Sequence, residues 1–283
     1  MKLAQLRREC VDKLAKEEVE RPFYVADIFL TRALGVPKAL LVTKYDEEIP
    51  PQLCEGIFAQ VARRIAREPL SYILGEAEFY GRPFCVGPGC LIPRPETELL
   101  VEALLKLVPA AGRFADWCTG SGCIGITMAL ERPGLSGIGV DCSAAALRYA
   151  EENIKRHGVA DRFILLQNSE PELSGLPDSS LDFIAANPPY IPAAEMAGLM
   201  TDVRDYEPHE ALDGGADGVE LYQKLFAAFP RILKDGGFLG VETAGDEQCV
   251  LLNKMAPDCF VPADKVYDYG GKLRHLIWQK RGA

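Results

Sequence analysis

Asn187-Pro188-Pro189-Tyr190 follows directly on an apolar run, residues 181–186, that reads as a buried strand. Its residue types suit transfer to a planar nitrogen. An amide or aromatic amino group has a delocalised lone pair and two N–H bonds that need acceptors. Asn187 offers a side-chain carbonyl oxygen and Pro188 a main-chain one. Gripping both N–H groups turns the lone pair out of conjugation and towards an electrophile, while Tyr190 covers a flat face; no strong base is required. The plainer reading of the same run is a strand stop, because proline fixes φ and holds the preceding residue extended.

A second run upstream, Phe114-Ala115-Asp116-Trp117-Cys118-Thr119-Gly120-Ser121-Gly122-Cys123-Ile124-Gly125, reads as a strand end, a tight glycine turn and a helix starting near Cys123. Such a turn lets a ligand touch backbone N–H groups. A further strand over residues 137–140 ends in Asp141, placed to meet a ribose diol. Ser143 then serves as N-cap of a helix that runs to His157 and closes at Gly158.

Gly120, Gly122 and Gly125, with Asp141 nineteen positions after Gly122, also satisfy the dinucleotide fingerprint. Three features weigh against that reading. Asp116 lies at the strand end, suited to a cationic amine and repulsive to a pyrophosphate. The Asn-Pro-Pro-Tyr run falls at the end of a later strand, on the carboxyl edge where such folds bind ligands. No residue is placed as a hydride-transfer partner.

With these two motifs stand Pro69-Leu70-Ser71-Tyr72-Ile73-Leu74-Gly75, Glu78-Phe79-Tyr80-Gly81, Leu91-Ile92-Pro93-Arg94-Pro95-Glu96-Thr97-Glu98, Val203-Arg204-Asp205-Tyr206-Glu207-Pro208 and Asp268-Tyr269-Gly270. Together they resemble, over nearly the whole chain, the HemK/PrmC family of peptide chain release factor glutamine N5-methyltransferases. The resemblance implies an α/β fold. Its parts are a class I, Rossmann-like, seven-stranded methyltransferase domain whose final hairpin is antiparallel, and a small N-terminal helical domain joined to it by a β-hairpin. It implies S-adenosylmethionine as cofactor and, as substrate, the glutamine of the Gly-Gly-Gln loop of release factors. Carried onto this sequence, Asn187, Pro188, Pro189 and Tyr190 form the catalytic clamp. Asp116, Cys118, Thr119, Gly120, Ser121, Gly122, Asp141 and Asn187 face the cofactor.

Two positions depart from the family pattern. Cys118 stands where the first glycine of Asp-x-Gly-x-Gly-x-Gly belongs; the small thiol is expected to be accommodated by an extended φ, re-tuning cofactor affinity. Asn168-Ser169-Glu170 follows the 163–166 strand where relatives often carry an Asp and a Trp beside the adenine.

The elements that must position these residues divide the chain into residues 1–75, 76–93 and 94–283. In the first part Leu3, Leu6, Cys10 and Leu14 recur at helical spacing, and residues 24–34 and 52–67 continue the pattern between breaks at Gly35, Pro37 and Pro50-Pro51. This predicts a helical bundle, read as a substrate platform on the resemblance or as a stability cap without it. The second part, with Gly81, Gly87 and Gly89, predicts a hairpin. Pro93-Arg94-Pro95 then opens a helix through Val108 with Glu96, Thr97 and Glu98 in its first turn. The resemblance brings Arg94 and Thr97 near ligand. From Arg113 strands and helices alternate, with later strands near residues 237–242 and 273–279. Residues 191–218 form a long Pro-, Gly- and acid-rich segment, read as a substrate loop or lid.

Composition narrows the function classes. At 283 residues and 48% hydrophobic content the chain suffices for two cores. It shows no membrane-spanning run and no cleavable leader, which predicts a soluble, cytoplasmic protein with no membrane partner. Nine cysteines without a Cys-x-x-Cys pair, beside three histidines, support neither a disulfide framework nor a metal site. Residues 1–75 are near balance, 12 basic against 11 acidic, so the net charge of −10 arises in the rest. An acidic catalytic region is a poor match for a stable nucleic-acid partner and suits a basic protein substrate better. A nucleic-acid amino-methyltransferase, a nicotinamide oxidoreductase and a noncatalytic cofactor-binding adaptor stand as the alternatives.

Overall fold

The computed structural model describes residues 1–169 and 175–282. Two compact units result, one made of Met1–Leu74 with Thr201–Tyr206 and the other of Gly75–Met200 with Glu207–Ala283.

The first unit is helical, as its periodicity predicts. Helices α1 (Leu3–Lys16), α2 (Pro22–Leu34), α3 (Lys38–Leu41), α4 (Pro51–Ile65) and α5 (Leu70–Leu74) enclose one core. Leu3, Leu6, Cys10 and Leu14 of α1 meet Phe29 and Leu30 of α2 and Ile57 and Val61 of α4. Pro22 and Pro51 sit in the first turns of their helices, where a missing N–H costs nothing, and Gly35 closes α2 in the left-handed region. Thr201–Tyr206 belongs here too: Arg64 pairs with Asp202 at 2.6 Å, and the Tyr206 hydroxyl donates to the Ala66 carbonyl.

The second unit begins with a two-stranded hairpin, β1 (Glu76–Phe79) and β2 (Arg82–Cys85), whose Phe79 and Phe84 are fully buried in this unit's core. There follow α6 (Pro95–Leu107), β3 (Ala111–Trp117), α7 (Cys123–Glu131), β4 (Gly134–Asp141), α8 (Ala144–His157), β5 (Phe163–Gln167) and β6 (Leu181–Ala186). Beyond the short α9 (Thr201–Arg204) come α10 (Glu220–Ile232), β7 (Leu233–Glu242), α11 (Asp246–Met255), β8 (Phe260–Tyr267) and β9 (Leu273–Lys280).

The sheet order is β5-β4-β3-β6-β7-β9-β8, and only β9 runs against its neighbours. Strand periodicity builds a core on each face. Phe114 of β3, Phe183 and Ala185 of β6 and Ile277 of β9 point to one side, among residues of α6, α7 and α8. Ala115, Trp117, Ile184, Ala186, Leu276 and Trp278 point to the other, against α10 and α11. Burial on both faces explains why β6, apart from Asp182, reads as an apolar run. The exposed edge strand β8 shows no such signal: Pro262 interrupts it and its middle four residues are exposed. Among the described residues no helix is long and apolar enough to cross a membrane.

Candidate active site

Chain order reverses on either side of β3, whose neighbours are β4 and β6. Ligands of open α/β sheets bind at such a switch point, outside the strands' carboxyl ends. Trp117 pairs with Val140 on one side and Ala186 on the other, so the glycine turn, Asp141 and Asn187 emerge side by side.

The turn is set by Asp116. This carboxylate is fully buried, and its Oδ2 accepts from Thr119 Oγ1 at 2.6 Å and Gly125 N at 2.9 Å. Burial pushes its pKa up to about 7. Its Oδ1 has no hydrogen-bond partner among the described residues. Gly125 is required for this closeness: a Cβ there would lie 2.2 Å from the Phe163 ring and 3.0 Å from Asp116 Oδ2. Asp116 thus braces the turn from beneath and is not exposed to an amine.

Pulled in this way, the chain takes positive φ at Cys118 (58°), Gly120 (54°) and Gly122 (80°). The extended φ expected at Cys118 is therefore corrected: the residue is left-handed, a conformation that costs an L-residue roughly 1–2 kcal/mol. Handedness follows from the hydrogen bonds of Asp116 and from Thr119 N–H donating to the Val140 carbonyl at 3.0 Å, neither visible in local spacing. Burial holds the Cys118 and Cys123 thiols above the usual range, so neither is an activated nucleophile.

Asp141 ends β4 with Oδ2 accepting from Gly120 N at 2.8 Å and Oδ1 from Ser143 N at 2.9 Å. Burial raises its pKa against the opposing pull of these two N–H donors. Ser143 caps α8 through Ala146 N, and Gly158 closes that helix with φ 67°.

A cleft lies over these groups, enclosing about 820 Å³ of empty space with the solvent at its mouth included. Of the sequence-predicted residues, Cys118, Thr119, Gly120, Ser121, Asp141, Asn187 and Pro189 line it. Asp116, Gly122, Pro188 and Tyr190 are not among its lining residues. Gly89, Leu91, Ile92, Pro93, Cys123, Ile124, Ser143 and Pro208, which belong to stretches read from the sequence, line the cleft too, as do Cys142, Ala146, Glu210, Ala211 and Leu221, which were not singled out. Neither Asn168 nor Ser169 takes part, and Glu170 lies outside the described residues.

Arg94 and Thr97, singled out on the resemblance, do line the cleft. Glu207, 4% exposed, takes Arg94 Nη2 on one oxygen at 2.6 Å and Ile92 N on the other at 3.0 Å. Thr97 donates to Glu242 Oε2 at 2.6 Å and receives Asn187 Nδ2 at 3.4 Å. The Tyr190 hydroxyl donates to Glu242 Oε1 at 3.2 Å, and burial is the main cause raising its pKa. Gln248 fixes the backbone, donating to the Tyr190 and Gly218 carbonyls at 3.1 and 2.9 Å. At Gly218 (φ 71°) a Cβ would fall 2.4 Å from the Tyr190 carbonyl oxygen, so only glycine fits. Glu242 and His275 were missed because they meet through a strand order that local spacing does not encode, and Gln248 because it reaches back from α11 to a residue 58 positions earlier.

This donor set fits S-adenosylmethionine. The turn presents backbone beside the cleft, Asp141 supplies a carboxylate, and Leu91, Ile92, Ile124 and Ala146 offer apolar walls for an aromatic base. Among the described residues no cluster of His, Cys, Asp or Glu is suited to a metal ion.

A seven-stranded sheet of this order, with a glycine turn and an acidic strand end at its switch point, is the class I methyltransferase fold. The ribosomal protein L11 methylase of Lactobacillus delbrueckii subsp. bulgaricus shares it, with a TM-score of 0.51 at 18% identity over 70% of this chain and 84% of that one. The PrmC N-terminal domain family matches residues 5–75 and the methyltransferase small domain family residues 95–202. A release factor glutamine methyltransferase of Nitratidesulfovibrio vulgaris is 43% identical over 85% of this chain and 81% of its own. That of Moorella thermoacetica is 37% identical over 99% of each. The chain belongs to the release factor glutamine methyltransferase family.

Proposed function

We propose that this protein transfers a methyl group from S-adenosylmethionine to the side-chain amide nitrogen of the glutamine in the Gly-Gly-Gln loop of peptide chain release factors. The observation that carries this reading is that Asn187 lines the same cleft as the glycine turn and Asp141. An amide-gripping group and a cofactor-binding turn then serve one reaction centre.

The turn from Cys118 to Gly122 would hold the methionine end, and Asp141 the ribose hydroxyls. When bound, the cofactor supplies an electrophilic methyl group on a sulfonium. Asn187 Oδ1 and the Pro188 carbonyl accept the two amide N–H groups, drawing the nitrogen lone pair out of conjugation. Pro189 keeps that loop rigid and Tyr190 packs on the substrate amide. Rate enhancement comes from positioning and preset dipoles, so slack of about 1 Å costs a large factor. The helical unit, whose family match ends at residue 75, is read as the platform that helps dock the protein substrate.

The test is incubation with labelled S-adenosylmethionine and unmethylated release factor, beside a Gly-Gly-Ala version, followed by mass mapping. One methyl on that glutamine, absent from the altered factor, is expected. No incorporation despite bound cofactor would overturn the substrate assignment.

A further inference from the structure

An asparagine amide can be turned over without changing its shape, and the two orientations are chemically opposite. With Oδ1 towards the substrate, Asn187 accepts an amide N–H. With Nδ2 there, it repels it. The clamp therefore needs something that fixes which end faces the cleft, and nothing within Asn-Pro-Pro-Tyr does so.

The buried residues behind it do. Glu242 closes β7 at 2% exposure, and an ionised carboxylate only accepts hydrogen bonds. The single hydroxyl proton of Thr97 is therefore committed to Glu242 Oε2, 2.6 Å away. What Thr97 then presents to Asn187 is a lone pair, so Asn187 must turn Nδ2 to it, at 3.4 Å. Its Oδ1 is left for the cleft. The other oxygen, Oε1, accepts from Tyr190, so the same carboxylate anchors the far end of the tetrapeptide. His275 stands opposite Glu242 across the β7–β9 ladder, fully buried, with Nε2 3.4 Å from Oε2. Thr97 and Tyr190 thus place one O–H donor on each of the two Glu242 oxygens.

Resting on the function read above, we propose that Glu242 is a positioning residue for the transfer: through Thr97 it sets the Asn187 amide with its oxygen towards the substrate, and through the Tyr190 hydroxyl it holds the other end of the clamp. A glutamine at 242 keeps the size but can donate to Thr97. The hydroxyl then donates to Asn187 in turn, and the Asn187 amide reverses.

The experiment measures kcat and KM for release factor, cofactor affinity by titration, and thermal unfolding, for Glu242→Gln, Thr97→Val and Thr97→Ser beside wild type. Expected for Glu242→Gln is a kcat lower by about 100-fold, the scale of one preset dipole lost from a reaction centre, with cofactor affinity changed less than about threefold. Thr97→Val, nearly isosteric but without the relaying hydroxyl, should lose kcat by about 10-fold or more, and Thr97→Ser should recover most of that loss. If Glu242→Gln does not fold, the Thr97 pair decides alone. A folded Glu242→Gln enzyme with wild-type kcat, or a Thr97→Ser enzyme no better than Thr97→Val, overturns the inference while wild-type transfer upholds the function. Absence of transfer by wild type removes both.

Discussion

Arg94 and Glu207 meet at 2.6 Å although 113 positions separate them, and the same carboxylate also receives Ile92 N. Arg94 opens α6 and Glu207 follows the segment beyond Asn-Pro-Pro-Tyr, so one nearly buried acid pins a wall of the cleft that includes Ile92 and Arg94. Glu207→Gln removes the charge and keeps the shape. We expect a stability loss of about 2 kcal/mol, below that of breaking a fully buried pair because Arg94 keeps part of its hydration. Cofactor affinity should fall with it. Denaturant unfolding and cofactor titration measure the two effects separately; an unchanged affinity would confine Glu207 to stability.

The left-handed φ of Cys118 gives a prediction of opposite sign. Cys118→Gly removes the roughly 1–2 kcal/mol backbone cost and adds about 0.5–1 kcal/mol of unfolded-state entropy, so stability should stay level or rise by up to about 1.5 kcal/mol. Because Cys118 lines the cleft, the substitution should also tighten cofactor binding. Cys118→Val, β-branched at the same φ, should destabilise. Thermal unfolding of both variants checks this, and a Gly variant less stable than wild type would count against backbone strain at this turn.

How much was legible beforehand differs by residue. Ser143 and Gly158 bound their helix as read, because caps are local chemistry written in adjacent residues. The glycine turn and Asn187 come together as the spacing suggested, since both end buried parallel strands. The φ of Cys118 was misread because handedness depends on hydrogen bonds from Asp116 to Thr119 and Gly125. Strand β8 went unread because an exposed edge needs no apolar alternation. Glu242 and His275 were illegible for a topological reason: β9 inserts between β7 and β8, and only that order sets them opposite each other.

Asp116 predicts a pH dependence. Its pKa rises on folding from an ordinary 3.8 to about 7, so the folded state holds a proton that the unfolded chain releases. That contribution to stability is fully present below about pH 4 and is lost as pH rises through about 7. Asp116→Asn keeps an oxygen for Thr119 and Gly125 and should abolish this part of the slope. Unfolding free energies of wild type and variant between pH 4 and 8 test it, and parallel curves would refute a protonated Asp116 in the folded state.

The two halves of the cleft should separate under mutation. Asp141 accepts from Gly120 N and Ser143 N, so Asp141→Ala removes a carboxylate from the lining and unties the turn from α8. Cofactor affinity should fall by about tenfold or more, the scale of one charge-assisted hydrogen bond. Asn187→Ala leaves that turn intact and removes the amide acceptor, so transfer should fall by about 100-fold or more while cofactor affinity largely holds. Titration with S-adenosylmethionine and single-turnover methylation, run on both variants, resolve the two effects. Unchanged affinity in the Asp141 variant would sink the ribose assignment, and unchanged turnover in the Asn187 variant would sink the clamp.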